Sequence, residues 1–503
     1  MSYLSDQLRG VLSIDPNAQA IEYEKEWVSW GQLKAQVDRI GSLLDGLDLG
    51  ADARIGIMIQ NTPDSIAGIL AAILRNACIV SINPLLPPER LNADLTGLKL
   101  PVVVASRQDF AREGVVDLLR ESGTAGIVLD PVLQNAATHS GLPTTLGEGL
   151  VMSQPDTFIE MLTSGTTGTP KRIPLKRKSL VASMTAALNM EKGRNPDDPP
   201  ILRSGTELLG NPITHIGGLY FVVTTILSGR KMCLQDRFTV AGWHDAVKRH
   251  RPKIVGGVPA ALKMLLEADI PKQDIDSLVA IRSGTAPLDP EIVDEFLERY
   301  DIPVVGSYGA TEFAGAVSMW RLKEFREMWP KKRGSVGTLF PGVKGRIVDP
   351  TTGDEVASGE EGVLELMAGQ IGDGKTWVRT TDRAVLDEDG YLFIRGRADN
   401  AIIRGGFKVH PDDVVKILHQ HPAIREAVVV GVPDTRLGEV PAAVIMLRDG
   451  AEQPGIEELR AFVKDRALPY QVPVKYLFVE DVPRTTSMKP ALPQVKAMFN
   501  DMA

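Results

Sequence analysis

The segment TSGTTGTPK, residues 163–171, gathers hydroxyls, glycines and one cation into nine residues. Gly165 and Gly168 let backbone amides approach an anion, Ser164, Thr166, Thr167 and Thr169 offer hydroxyls, and Lys171 adds charge, which together could cradle a polyphosphate. A Walker loop reads GxxxxGK[ST] and runs into a helix. Here Lys171 follows Pro170 and no Ser or Thr follows it. TFIEMLT before the loop reads as a strand, and Pro174 in KRIPLKRKS disfavours a helix immediately downstream. The setting is strand, loop, strand, and a solvated Ser/Thr/Gly turn would use the same residues.

Five further stretches carry chemistry: NPITHIGGL, SGTAPL, SYGATE, TTDRAVLDEDGYLFIRGRADNAIIRGGFKVHP and PRTTSMK. Read locally, each has a plain alternative. His215 is a lone histidine, Glu312 suits a helix first turn as well as a hard cation, and Asp382 with Arg397 could form a structural ion pair. Asp387, Asp389 and Gly390 have the chemistry of a turn. Lys489 by itself is a surface lysine, and IIRGGFKV could be a hairpin with its flanks.

In this order, and with TSGTTGTPK, the stretches resemble the adenylate-forming superfamily of acyl-CoA synthetases, aryl-CoA ligases, nonribosomal-peptide adenylation domains and firefly luciferase. The resemblance spans almost the whole chain and is most like a carboxylate–CoA ligase. It implies a two-step reaction: a carboxylate attacks the α-phosphate of ATP to give an acyl-adenylate and pyrophosphate, then the thiol of coenzyme A displaces AMP. ATP, Mg2+ and coenzyme A are the implied cofactor and co-substrates, and the first step needs charge neutralisation more than covalent catalysis.

The resemblance also implies roles. Thr163, Ser164, Gly165, Thr166, Thr167, Gly168 and Lys171 would wrap the ATP phosphates; Gly284, Thr285 and Ala286 would lie against adenine, and Tyr308 would stack on it. Ser307, Gly309 and Thr311 would complete the AMP site, Glu312 and Thr166 would hold magnesium, and Asp382 and Arg397 would meet the ribose and its phosphate. His215 would position the substrate carboxylate, with Gly218, Gly306, Gly309 and Ala314 lining an acyl pocket roomy enough for a medium-length or cyclic apolar acid. Lys489 would bridge carboxylate and ATP oxygens, with His215 and Glu312 as the other catalytic groups. A hinge at Asp399 would then withdraw Lys489 and present Arg404, Gly405, Gly406 and Lys408 to coenzyme A. Two departures stand out: Thr214 where relatives are often aromatic, and Met488, with no basic residue soon after Lys489, where relatives usually have glycine before the lysine. Loading of a carrier protein and a catalytically silent nucleotide-binding protein are the competing readings.

The elements that must position these residues are legible in the hydrophobic periodicity. Helix-then-strand units recur at VSWGQLKAQVDRIGSLLDGL with RIGIMIQN, at DSIAGILAAILRNA with CIVSINP, and at DFAREGVVDLLRESG with AGIVLD, the pattern of doubly wound α/β layers. Two such subdomains, a β-barrel-like subdomain from about Gly334, and a small mobile α+β domain after GRADN make up the expected fold. The expected domains are residues 1–398, binding ATP and acid, and 399–503.

A chain of 503 residues exceeds one ordinary core. Its 56 Lys+Arg against 64 Asp+Glu, net charge -8 without a long single-sign run, argue for small-molecule partners over nucleic acid. Cys78 and Cys233 form no CxxC or Cys/His pattern, which speaks against a disulfide framework or zinc site and suits a reducing cytoplasm. No signal peptide or membrane span is read in the sequence, and a homodimer is compatible with it.

Overall fold

The computed structural model describes residues 3–163, 171–189, 198–398, 400–405, 407–485 and 488–500; the side chains of Thr163, Lys171 and Asn189 lie outside that description. Two compact units emerge. One runs to Thr163, from Lys171 to Val317 and through Gly369–Asp373; the other comprises Ser318–Ala368 and the chain from Gly374 onward.

In the first unit a seven-stranded sheet is ordered Asn135–Thr138, Ala125–Asp130, Val102–Ser106, Arg54–Met58, Cys78–Ile82, Thr157–Thr163, Lys171–Lys176. Its five inner strands are parallel and its two edges antiparallel. The inner strands are mostly apolar on both faces because helices cover both sides, with Arg54 and Glu160 as buried exceptions. One of those helices, Pro63–Leu74, is buried at every residue, as its all-round apolar sequence requires. Trp30–Asp45 starts at a capping box between Ser29 and Gln32 and buries Leu33, Val37, Ile40 and Leu44, the stripe expected from 3.6-residue spacing. Two smaller sheets, one containing Lys231–Leu234 and the other containing Ala280–Ser283 and Val304–Ala310, repeat the parallel arrangement.

Two local expectations are corrected. DFAREGVVDLLRESG forms two short helices, Arg107–Phe110 and Val115–Glu121, broken at Gly114, whose φ of 77° is left-handed. A helix, Arg177–Asn189, also begins three residues after Pro174. Pro174 is accommodated in the edge strand Lys171–Lys176, opposite Glu160, and edge strands are where sheets tolerate proline.

The second unit carries an antiparallel sheet of Lys344–Val348, Glu361–Met367, Val378–Leu386 and Leu392–Arg397. It also carries an α+β piece built on the long strands Ile424–Asp434 and Gly438–Leu447. Alternate residues of that pair face opposite cores: Ala427, Val429, Ala443 and Ile445 pack with the helices Pro411–His419 and Ile456–Lys464, while Val428, Val430, Ala442 and Val444 pack with Val495 and Phe499. The unit boundary thus differs from a division at 398/399, because helix Pro411–His419 packs on strand Leu392–Arg397. Among the described residues, no helix is long and apolar enough to cross a membrane.

Candidate functional site

The phosphate-loop segment is framed as a hairpin. Strands Thr157–Thr163 and Lys171–Lys176 are antiparallel, with Thr163 opposite Lys171. Ser164, Gly165, Thr166, Thr167 and Gly168 lie outside the described residues. Below them the hairpin is fastened by charge. Arg54 donates to both carboxylate oxygens of Glu160 at 2.7 and 2.9 Å, and Arg172, next to Lys171, donates to both oxygens of Asp94 at 2.9 and 2.7 Å. Burial, and then Glu160, push the nearby Cys78 thiol up to about 12, so it stays protonated.

Three sequence-distant motifs converge in the first unit. SGTAPL follows a strand's C-terminal end, and SYGATE closes the neighbouring parallel strand, where open α/β sheets place their ligands. Ser307 Oγ donates to Ser283 O at 3.0 Å. A Cβ on Gly284 would lie 2.6 Å from Ser307 Oγ, so glycine permits this approach. Thr285 sits at φ 70°, a left-handed backbone costing about 1–3 kcal/mol that surrounding structure must enforce. Its neighbour is the helix Ile216–Leu227: a Cβ on Gly217 would be 3.5 Å from Thr285 Cγ2. His215 is that helix's N-cap residue, but its side chain does not cap it. Ala286 and Tyr308 are half-buried, and Tyr308 lies against Phe313 with ring centroids 6.1 Å apart. Thr311 and Glu312 follow in a single 3-10 turn, Glu312 exposed.

The expected acyl wall is revised. A Cβ on Gly218 would meet Pro212 O at 2.2 Å, and one on Gly309 would meet Gly315 O at 2.4 Å. Glycine at both positions permits close backbone packing, and Gly309 is exposed on its other side. Ala314 is 1% exposed in the main core, so it too is a packing residue. Gly306 is buried with Leu288 at ordinary contact distance. From the helix Ile216–Leu227, half-buried Tyr220 donates to Ser183 O at 2.9 Å and flanks Gly315.

In the second unit Asp382 and Arg397 are cross-strand partners, with Arg397 Nε 3.9 Å from Asp382 Oδ1. Lys489 is presented by a turn in which Thr485 N–H donates to Lys489 O at 2.8 Å and Met488 N–H to Thr485 O at 2.9 Å. Met488 has φ 64°, the left-handed region in which glycine carries no Cβ penalty. Arg484 supports the turn: its Nη1 donates to Met488 O at 3.2 Å and its Nη2 to Glu426 at 2.6 Å. Crowding by protein, and secondarily the Arg397 guanidinium, hold the Lys489 ammonium below the usual lysine value. The side chain is exposed by surface area, so water moderates both effects without reversing them.

Asp399 and Gly406 lie outside the described residues. Around them, Ile402–Arg404 and Phe407–Val409 pair as a hairpin, with Gly405 at φ 55°. Arg404 is already engaged, its Nη1 donating to Tyr470 O at 2.8 Å and Val472 O at 3.2 Å. Lys408 is exposed. Asp387 is a turn residue as read: its Oδ1 accepts from Asp389 N–H and Tyr391 N–H, and Lys332 pairs with its Oδ2.

Sequence reasoning missed Arg484, Glu426, Gly396 and Asp412. Arg484 and Gly396 stand inside quoted motifs, so the signal for them was present; Glu426 and Asp412 have no local pattern. Glu22, Cys233 and His250 also bring metal-ligand atoms within 4.8 Å. The Glu22 carboxylate there already faces Arg249 Nη1 and His250 Nε2, each at 2.7 Å. Burial pushes the Cys233 thiol up to about 11. That chemistry fits a buried ionic network better than a cation site.

Residues 11–371 match the family model described as AMP-binding enzyme, and residues 414–489 match its AMP-binding enzyme C-terminal domain. Among curated relatives, 4-coumarate--CoA ligase-like 5 of Oryza sativa subsp. japonica is 29% identical over 424 residues, 82% of this chain and 74% of the relative. Long-chain-fatty-acid--CoA ligase of Bacillus subtilis (strain 168) is 25% identical over 519 residues, covering 93% and 90%. Among solved structures, the ATP-bound RpMatB-BxBclM chimera B1 superposes with TM-score 0.82 at 25% identity, covering 100% of both chains. O-succinylbenzoate coenzyme A synthetase from Bacillus subtilis, in complex with ATP and magnesium ion, does so with TM-score 0.77 at 24% identity over 97% of this chain and 99% of that one. The amide bond synthetase McbA from Marinactinospora thermotolerans gives 0.79 at 25% over 99% of each. The chain belongs to the AMP-binding enzyme family, the adenylate-forming family of acyl- and aryl-CoA ligases. It is an enzyme of the acid–thiol ligase class with a large N-terminal and a smaller C-terminal part.

Proposed function

We propose that this enzyme is an ATP-dependent carboxylate–CoA ligase. The carboxylate oxygen forms a bond to the α-phosphorus of ATP as the bond to pyrophosphate breaks; the thiol of coenzyme A then attacks the acyl carbonyl and AMP leaves. The observation that carries the reading is the Lys489 turn, closed by the Thr485 and Met488 N–H groups and by Arg484, in the same unit as the Asp382–Arg397 cross-strand pair. A cation held in place acts on developing negative charge without reorganising. Asp382 accepts from the ribose hydroxyls, Arg397 donates to the nucleotide, and Lys489 spans carboxylate and phosphate oxygens. In the first unit the 284–286 turn and Tyr308 take the adenine, Thr311 the α-phosphate, and His215 the acid's carboxylate. Thr166, Thr167 and Lys171 hold the outgoing phosphates.

Magnesium fits the donor set, since Glu312 offers an exposed carboxylate and this ion binds through one or two carboxylates plus phosphate oxygens. Bound there with Thr166, it would offset phosphate charge. Arg404 or the exposed Lys408 meets a phosphate of coenzyme A. Asp399 is the proposed pivot between the two steps.

The test is pyrophosphate release across aliphatic, aromatic and alicyclic acids, followed by acceptor competition among coenzyme A, a pantetheinylated carrier protein and simple amines. Coenzyme A thioester as the dominant product is expected. Carrier acylation or amide as the dominant product would replace the ligase reading with a different acceptor.

A pH dependence follows from Lys489. The step needs the ammonium, so its rate falls on the alkaline side as Lys489 loses its proton. Because the group is held below 10.5, that limb begins below the free-lysine value. Arg397→Met removes a like charge, which favours the protonated form and moves the limb to higher pH, whatever it does to the maximum rate. A limb that stays put or moves down in pH–rate profiles of pyrophosphate release would remove Lys489 as its origin.

A further inference from the structure

The strand that ends at Arg397 contains a position only glycine can fill. Gly396 has φ 124°, and a Cβ there would lie 2.2 Å from Asp412 Oδ2 and 2.9 Å from its Cγ. The space belongs to the Asp412 carboxylate, in the first turn of helix Pro411–His419, which accepts the Arg397 N–H at 3.2 Å. The adjacent carboxylate is also used: Arg383, paired with Gly396 across the sheet, donates from Nη1 to Asp413 at 3.2 Å and from Nε to Glu361 at 2.8 Å. One turn further on, Lys416 Nζ donates to Arg395 O at 3.5 Å. At the head of the helix the His410 imidazole is half-buried.

All three fastenings, from Asp412, Asp413 and Lys416, join residues before position 399 to residues after it. They tie the helix to the two strands that carry Asp382 and Arg397, and the helix packs on strand Ile424–Asp434, whose Glu426 holds Arg484 of the Lys489 turn. Any rotation about residue 399 that removes Lys489 must break them. We propose that Gly396, Arg383, Asp412 and Asp413 form a latch of positioning residues that holds Lys489 at the nucleotide for adenylate formation and opens for thioester formation. The proposal rests on the carboxylate–CoA ligase reading.

The two half-reactions separate its consequences. The first is pyrophosphate release, with whichever of octanoate, benzoate or cyclohexanecarboxylate gives the highest wild-type rate. The second is coenzyme A consumption from the synthetic adenylate of that same acid. Asp412→Ala and Asp413→Asn should each slow the first about tenfold, since each loses a charge-assisted hydrogen bond, and leave the second unchanged or faster. Asp413→Glu, which keeps the charge, should restore most of the first. Equal losses in both half-reactions, or no loss in either, would overturn the latch. Wild-type protein that releases no pyrophosphate with any of the three acids, or whose adenylate does not react with coenzyme A, would instead overturn the underlying reading, and the latch with it.

Discussion

Lys489→Ala should lower acid-dependent pyrophosphate release by about 10²–10³-fold, the range for removing one preorganised donor from a developing charge. Coenzyme A consumption from a supplied acyl-adenylate should change less than about threefold, because the lysine is proposed to leave before that step. Its position supports this asymmetry. The turn from Thr485 to Lys489 is closed by its own hydrogen bonds and by Arg484, so truncating one side chain leaves the turn intact. Rapid-quench measurement of the two half-reactions distinguishes the outcomes. If both survive, Lys489 has no role in adenylation; if both collapse together, its role is structural.

Glu160→Gln should cost the first unit on the order of 3–5 kcal/mol, because it strands a buried guanidinium. The side chains of Arg54 and Glu160 are 7% and 9% exposed, and the pair is bidentate. Arg54 also donates to Leu98 O at 2.8 Å, so it cannot swing away to water without further loss. Replacing both partners, Arg54→Met with Glu160→Leu, should recover at least half of the loss, since burying two ions is itself costly. Chemical denaturation of the full chain, followed through the transition of the first unit, reads both variants. A loss below about 1 kcal/mol for Glu160→Gln would place the pair in the class of surface salt bridges. Because Glu160 lies in the strand that enters the phosphate loop, the same variant should also weaken ATP binding.

Legibility in the sequence varied with the range of the signal. Local periodicity was enough for the strand–loop–strand setting of residues 163–171 and for the buried stripe of Trp30–Asp45. It failed where one residue overrode the pattern: Gly114 splits a helix that hydrophobic spacing reads as continuous, and Pro174 sits in an edge strand without excluding the helix at Arg177. The site motifs were visible as motifs, but the reasons for their small residues were not. At Gly218 and Gly309 backbone meets backbone, a need the sequence does not display. Arg404 stands in a motif, but its hold on Tyr470 and Val472 through Nη1 has no signal in the spacing. Asp412 belongs to no pattern, because its partner, Gly396, is defined by a carboxylate packed against a missing side chain. Contacts between residues far apart in sequence, such as Arg54 with Glu160 or Arg484 with Glu426, leave no trace in spacing.

The central claim, that the enzyme activates a carboxylate as its adenylate, is tested most directly by isotope exchange of labelled pyrophosphate into ATP without coenzyme A, across the acid panel. Exchange that appears only when a suitable acid is present, and is lost in Lys489→Ala, is the predicted result. ATP binding without acid-dependent exchange for any acid would contradict the claim and leave a nucleotide-binding protein that does not catalyse the reaction.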